Sequence, residues 1–256
     1  MSCLFRHTAC MCEKDKMANQ PVKSGAGIGE RSPAAVILAA GVGRRLGGRP
    51  KAALHIGGSS LLARLASALR DAGIDDIGVV LGPYREMLVP LARHCGVDLL
   101  LHGRENTRLD ESQALALRTH VERRPGRDLL LVLADLPLLD GEHMRALLEE
   151  WQRRPTGIEA QMPVVEGVRG HPLLLSWAAV QQLAAAPSFT GIRGWLNGYP
   201  DIVRPFVTSE RAYVTDLDTP EDLAALSERL WPQQVAWPEP WDTGNPQQKD
   251  GGEGQR

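Results

Sequence analysis

Short apolar runs alternate with amphipathic stretches through the first 150 residues of the chain. The runs have the length of buried strands, and the stretches place apolar residues at helical spacing. The predicted strands are residues 36–40, 77–81, 97–101 and 128–135. The predicted helices are residues 59–72, 84–94, 112–123 and 140–151. Strands alternating with helices of this length predict βαβ units, in which helices cover both faces of a parallel sheet.

The pattern changes in the second half of the chain. Strands at 159–165 and 172–175 are separated by a turn at 166–170, which predicts an antiparallel excursion. Further helices are predicted at 177–186 and 192–196, and further extended segments at 202–207 and 212–214. The last helix begins after Thr219, an N-cap residue followed by proline at the first helical position. The whole pattern predicts a three-layer, doubly wound α/β fold with a mostly parallel sheet.

One folded domain is expected between two poorly patterned tails. Residues 1–33 carry charges and lack a sustained apolar run. Residues 232–256 are rich in proline, glycine and glutamine, a composition typical of disorder. We therefore predict that both tails are disordered and that residues 34–231 form a single domain.

Composition and charge narrow the range of partners. The 31 acidic and 29 basic residues give a net charge of −2, so no global field draws the chain onto nucleic acid or an anionic membrane. The apolar runs are far shorter than a membrane helix. The cysteines of the first tail lack the spacing of a structural zinc site, and Cys95 has no partner within the predicted domain. Unpaired cysteine is expected in a reducing compartment, which predicts a cytoplasmic protein.

The segment after the first predicted strand is rich in glycine and in cations. Residues 41–51, called the glycine loop below, contain four glycines and four arginine or lysine residues. Glycine lets the backbone approach a ligand closely, so that N–H groups can converge on an anion while the cations neutralise it. The alternative is an ordinary turn with solvated arginines. We interpret the loop as a phosphate-binding site.

Two common phosphate-binding loops do not fit this segment. The dinucleotide fingerprint G-x-G-x-x-G would require glycine where Leu46 stands. A Walker A loop that starts at Gly43 would require Lys and then Ser or Thr where Arg49 and Pro50 stand. The glycine loop therefore belongs to neither class.

Three carboxylates follow predicted strands and are candidate metal ligands. Asp135 ends the most apolar strand, and Asp216 and Asp218 follow a late extended segment. Ligands of an open parallel sheet lie at the carboxyl ends of its strands, so these side chains are expected to meet the glycine loop there. Mg²⁺ is usually bound by one or two carboxylates plus substrate phosphates, which favours Asp135 with Asp216 or Asp218. The alternative role for such aspartates is helix capping.

Four ordered motifs resemble those of the nucleotidyltransferases of the MobA/MocA type. The loop signature L-A-A-G-x-G-x-R-[ML]-G is matched by residues 38–47, and Lys51 follows it. The motifs D-x-P, R-G-H-P and D-[IL]-D-T-P-E-D are matched by residues 135–137, 169–172 and 216–222. Within this family, the type that the chain most resembles is the molybdenum cofactor cytidylyltransferase.

The resemblance implies a Rossmann-like nucleotidyltransferase fold and a set of site residues. Arg45, Lys51 and Asp135 would be catalytic, and Arg169 and His171 would face the acceptor. The implied nucleotide-binding residues are Leu38, Ala39, Ala40, Gly41, Gly43, Arg45, Lys51 and Asn106. The implied Mg²⁺ ligands are drawn from Asp135, Asp216 and Asp218.

The resemblance also implies a reaction and its partners. CMP would pass from CTP to molybdopterin cofactor with release of pyrophosphate, and the protein partner would be a molybdoenzyme or its maturation chaperone. One segment departs from the family: residues 110–115 lack a glycine and a serine of G-x-S-x-S-L and add two negative charges beside the nucleotide site. This departure leaves open GTP as the donor, a sugar phosphate as the acceptor, and a non-catalytic cofactor carrier or maturation chaperone.

Overall fold

The computed structural model describes residues 32–103 and 107–241. The strands are β1 Ala34–Ala39, β2 His55–Ile56, β3 Ser59–Ser60, β4 Ile77–Leu81, β5 Asp98–Leu101, β6 Leu129–Leu133, β7 Ala160–Val165, β8 Val168–Arg169, β9 Leu173–Leu175, β10 Val203–Val207 and β11 Val235–Ala236. The helices are α1 Leu61–Asp71, α2 Arg85–His94, α3 Leu109–Arg123, α4 Gly141–Gln152, α5 Trp177–Ala184, α6 Ile192–Gly198 and α7 Pro220–Arg229.

Eight strands form the central sheet. Its order is β10-β7-β9-β6-β1-β4-β5, and β8 is added to β7. β1 lies between β4 and β6 and is parallel to both, β4 is parallel to β5, and β7 is parallel to β10. β9 runs antiparallel between β6 and β7. The predicted mostly parallel α/β sheet with an antiparallel excursion is therefore confirmed.

Two apolar layers cover the sheet. Alternate residues of β1 point to opposite faces, as the two-residue period of a strand requires. Ala35 and Ile37 join the layer that contains α1, α2 and α4, whereas Val36 and Leu38 join the layer that contains α3, α5 and α6. β1 is buried along its whole length because helices pack on both faces of the sheet. Across the described ranges, every helix is too short or too polar to cross a membrane.

A second, three-stranded sheet lies beside the glycine loop. Its order is β11-β2-β3, and both pairings are antiparallel. A small apolar cluster accompanies it and includes Leu46 of the loop, Leu54 and Trp237. Trp237 is only 7% exposed. The predicted disorder of residues 232–241 is therefore wrong, and packed structure continues beyond the predicted domain boundary at residue 231.

Two other local predictions differ from the structure. The segment predicted as extended at 212–214 is a 3-10 helix, Arg211–Tyr213. Ala212 and Tyr213 of this helix are buried. A short apolar segment is buried in a helix as well as in a strand, so the apolar pattern of the sequence does not distinguish the two. Helix α3 begins at Leu109, three residues before the predicted start, because the Glu111 side chain accepts a hydrogen bond from the N–H of Arg108 at 2.9 Å. This bond caps the helix one turn earlier.

Candidate active site

A cavity of about 350 Å³ opens where β1 and β6 end. The backbone of Ala134 donates to the carbonyl of Leu38 at 3.0 Å, which holds the two strand ends side by side. The predicted nucleotide-binding residues of β1 and the glycine loop lie in its wall. The wall consists of residues 38–45, Lys51, Ala52, residues 107–109, Ser112, residues 133–135 and Asp218. The candidate site therefore lies at the carboxyl ends of parallel strands, as predicted.

Gly41, Val42 and Gly43 of the glycine loop line this cavity. Among the described residues, the N–H groups of Gly41, Val42 and Gly43 have no hydrogen-bond partner. The carbonyl of Gly43 accepts from Leu46 and Gly48, at 2.9 and 3.0 Å, and so closes the loop on itself. Three consecutive N–H groups are thus left for a ligand, an arrangement that suits an anion.

Gly43 should not tolerate a side chain, whereas Gly41 should. Gly43 has a φ of +56°, and a Cβ there would lie 2.1 Å from the carbonyl oxygen of Arg49. A Cβ on Gly41 would meet nothing within 4 Å. We expect Gly43→Ala to destabilise the protein by about 1–3 kcal/mol, measured by urea unfolding, with Gly41→Ala as the matched control. Equal stability of the two variants would contradict this loop conformation.

Lys51 lies between two carboxylates on the floor of the cavity. Its Nζ donates to Asp135 Oδ2 at 2.8 Å and also to Asp218 Oδ1. Arg45 donates to the other oxygen of Asp218 at 2.5 Å. Burial by itself lowers the pKa of Lys51, but attraction to Asp135 and Asp218 outweighs burial and raises that pKa above its ordinary value. Lys51 therefore carries a positive charge at neutral pH.

Asp135 is held by backbone contacts and keeps one oxygen unused. It follows β6 by two residues, and its carbonyl accepts from the N–H of Leu217 at 2.9 Å. This contact brings the segment that contains Asp218 to the end of β6. Asp135 Oδ1 is buried and has no partner among the described residues. A buried carboxylate oxygen without a partner is costly unless a ligand completes it.

The two late aspartates have different surroundings. Asp218 lines the main cavity, whereas Asp216 lines a separate cavity of about 140 Å³. Burial and the neighbouring charge of Asp218 raise the pKa of Asp216. Helix α7 is capped by Thr219 and Asp222, so the Asp218 carboxylate is not needed as a cap. The two carboxylates therefore face different cavities, and buried Leu217 lies between them in the chain.

Arg169 and His171 do not line the main cavity. Arg169 is exposed and donates to Asn197 Oδ1 at 2.6 Å. The His171 imidazole bonds the backbone of Leu131 in β6, and burial lowers the pKa of His171, which keeps the ring neutral. His171 Nδ1 is buried without a partner in the described part of the chain. Asn106, the remaining predicted nucleotide ligand, lies outside the described residues.

The sequence reasoning missed Ser112 as a wall residue. Ser112 is 3% exposed, and its hydroxyl lies 3.0 Å from His102 Nε2. Burial lowers the pKa of His102. A polar residue on the buried face of α3 was the available signal. The added acidic residues do not leave free charge here, because Asp110 forms an ion pair with Arg108 at 2.6 Å and Glu111 caps the helix.

Comparisons with known proteins identify the family of this chain. The sequence profile of the MobA-like NTP transferase domain matches residues 35–203. The bifunctional protein GlmU of Azorhizobium caulinodans is 37% identical over 122 residues, which are 47% of this chain. The chain covers only 27% of that relative's length. Similarity to GlmU is therefore limited to part of each protein.

Solved structures share the fold over most of the described chain. Rv0371c from Mycobacterium tuberculosis H37Rv aligns with a TM-score of 0.64 and 25% identity, over 77% of this chain and 99% of that one. A structure described as the complex of Rv0371c with manganese aligns with a TM-score of 0.58 and 24% identity, over 77% of this chain and 98% of that one.

Proposed function

We propose that this protein transfers CMP from CTP to molybdopterin cofactor and releases pyrophosphate. The chain belongs to the family of MobA-like NTP transferase domains and is therefore a nucleotidyltransferase. One observation carries the proposal. Lys51 lies between Asp135 and Asp218 on the floor of a cavity whose wall offers unpaired backbone N–H groups. Anion donors and carboxylates at one strand end suit a triphosphate bound together with a divalent cation.

The glycine loop binds the triphosphate. The N–H groups of residues 41–43 donate to phosphate oxygens, and Arg45 and Lys51 neutralise the pyrophosphate as it leaves. In the ligand-free protein both cations bond Asp218, so the triphosphate competes with that carboxylate for them. Binding is charge-assisted, and the cations are already aimed into the cavity before the ligand arrives.

The carboxylates fit a divalent metal. Asp135 Oδ1 is buried and unpartnered among the described residues, and Asp218 lies on the other side of Lys51. In the described ranges, no group of three or more His, Cys, Asp or Glu side chains could hold a metal by itself. Two carboxylates with phosphate oxygens are the usual Mg²⁺ set, so Asp135 and Asp218 would hold it. The cation would supply charge stabilisation to the phosphates.

The reaction is an in-line displacement at phosphorus. An oxygen of the acceptor phosphate attacks the α-phosphorus of CTP, a new P–O bond forms, and the bond between the α-phosphorus and the bridging oxygen breaks. Pyrophosphate leaves with that bridging oxygen. Catalysis is mainly positioning and neutralisation of charge, to which Arg45 and Lys51 contribute. Arg169 and His171 stay predicted acceptor residues, although neither lines the main cavity.

The choice of CTP and of the cofactor is supported by the L-A-A-G form of the loop, which resembles that of the cytidylyltransferases of the family. GTP as donor and a sugar 1-phosphate as acceptor are the second candidates. The 37% identity with the A. caulinodans GlmU over 122 residues favours the sugar 1-phosphate as acceptor.

Release of pyrophosphate tests the proposal. Purified protein is incubated with Mg²⁺ or Mn²⁺, with CTP, GTP or UTP, and with either molybdopterin cofactor or a sugar 1-phosphate. We expect release only with CTP and the cofactor. Release with GTP alone would overturn the choice of base, and release only with the sugar phosphate would overturn the acceptor. No release with any pair would favour a non-catalytic carrier.

A further inference from the structure

We infer that residues 235–241, called the tryptophan strap below, hold the glycine loop in its triphosphate-binding conformation, with Trp237, Trp241 and Tyr84 as positioning residues. The inference rests on the proposed function, because it assigns the loop to a triphosphate. The strap itself does not line the cavity. It therefore acts through the loop and has no direct contact with the ligand.

The strap is anchored on the segment that follows the loop. Its strand β11 pairs with β2, which starts four residues after Lys51. The N–H of Gly57 also donates to the carbonyl of Gln234 at 2.9 Å. The strap therefore contacts strand β2, which follows the glycine loop. It also contributes Trp237 to the apolar cluster that contains Leu46 of the loop.

Trp237 holds the middle of the loop. It is buried in the apolar cluster that includes Leu46, and the guanidinium carbon of Arg49 lies 5.4 Å from its ring centroid. Arg49 is the one cation of the glycine loop, among its described residues, that does not line the cavity. The Arg49 guanidinium is therefore within cation–π distance of the Trp237 ring, and it does not face the cavity where a phosphate would bind.

Tyr84 links the strap to the two sides of the loop. Its hydroxyl lies 2.8 Å from the carbonyl oxygen of Val42 and 2.6 Å from that of Gly48, and it can donate to either. Trp241 packs edge-on against the Tyr84 ring, with ring centroids 6.0 Å apart and planes at 90°. The hydroxyl joins the start and the end of the turn, and Trp241 keeps the ring in place.

The loop needs such support because of its composition. Its described residues include three adjacent N–H groups without partners, and its cations repel one another. A flexible loop would have to be ordered by the triphosphate, which weakens binding, whereas a loop held in advance avoids that cost. The indole N–H of Trp237 has no partner in the described structure, so packing and the contact with Arg49 hold this ring.

Binding of CTP in Mg²⁺ without acceptor tests the inference. We expect Tyr84→Phe, which removes only the hydroxyl, to weaken CTP binding about fivefold, and Trp237→Ala to weaken it about tenfold or more. Trp237→Phe keeps a ring at the same place and should restore most of the affinity. Trp231→Ala is the matched control, because Trp231 lies in the preceding segment and is 83% exposed. This variant should bind CTP as tightly as the wild-type protein.

Kinetics separate positioning from a general loss of fold. The strap does not line the cavity that contains Lys51 and Asp135. The variants should therefore raise KM for the nucleotide in proportion to the loss of affinity, while kcat changes less than about twofold. Equal CTP affinity of Tyr84→Phe, Trp237→Ala and wild type would overturn the inference. So would a fall in kcat with KM unchanged.

Hydrogen exchange distinguishes failure of the strap from failure of the proposed function. In nucleotide-free protein, the amides of Leu46 and Gly48, which donate to the Gly43 carbonyl, should exchange at least tenfold faster in Trp237→Ala than in Trp231→Ala. If wild-type protein binds no nucleoside triphosphate, the proposed function fails while this measurement still reports on the loop. Equal exchange rates in the two variants would overturn the role of the strap.

Discussion

Replacing Asp135 by asparagine is expected to lower kcat by about 10²–10³-fold, with the fold unchanged. Asparagine has the same shape and can still accept from Lys51, but it removes the negative charge and the buried oxygen that lacks a partner in the described structure. A divalent cation then loses its deeper ligand. The measurement is steady-state release of pyrophosphate at saturating nucleotide, with circular dichroism as the check on folding.

Asp216→Asn is the matched control for this variant. Asp216 lies in the separate cavity of about 140 Å³, and its pKa is raised by burial and by Asp218, so removing its charge relieves repulsion. We expect kcat within about twofold of wild type. A loss as large as that of Asp135→Asn would show that the metal is held by Asp216, and a full rate for Asp135→Asn would contradict a metal at this strand end.

Lys51→Met is expected to lower kcat/KM by on the order of 10²-fold or more, because it removes a charge-assisted donor to the phosphates. It also leaves Asp135 and Asp218 facing each other without the ammonium that joins them. In the ligand-free protein the Lys51 ammonium occupies the position between Asp135 and Asp218 that Mg²⁺ could take in its absence. Mg²⁺ alone should therefore raise the melting temperature of Lys51→Met more than that of wild type.

The pH dependence of stability gives this variant a second test. The pKa of Lys51 is raised in the folded protein, so its contribution to stability is complete at neutral pH and is lost only as the pH rises through that raised value. In Lys51→Met this contribution is absent at every pH. The stability deficit of the variant should therefore be constant near neutral pH and should shrink only as the pH rises above 10.5, the ordinary lysine value. A deficit that stays constant at alkaline pH would argue against the paired contacts.

Much of the site could be predicted because its signals are local in the chain. The run at 36–40 must be buried on both faces, which makes it a central strand, and the glycines and cations after it stand within one loop. Asp135 follows another fully apolar run. Since both strands are parallel neighbours, their carboxyl ends meet, and the loop and the carboxylate lie in one cavity. The side chains need no special long-range contact to arrive there.

The assignment between Asp216 and Asp218 required the tertiary structure. The sequence left both residues open as candidates, but in the folded chain the Asp218 carboxylate pairs with Lys51, whereas Asp216 lines the separate cavity. His171 is a similar case. Its motif is intact in the sequence, yet the side chain bonds β6 and the main cavity does not include it.

The sequence by itself determined the α/β fold, the glycine loop after the first strand and the carboxylate at the end of β6. These features follow from the spacing of apolar residues and from glycines that lie close together in the chain, so they can be read locally. Only the tertiary structure decided which late aspartate joins Lys51, and that residues of a proline-rich segment pack Trp237 against the loop. These outcomes depend on contacts between residues more than 160 positions apart, as in the 167-residue separation of Lys51 and Asp218. Composition cannot specify such contacts, since they form only after the sheet has brought its loops together.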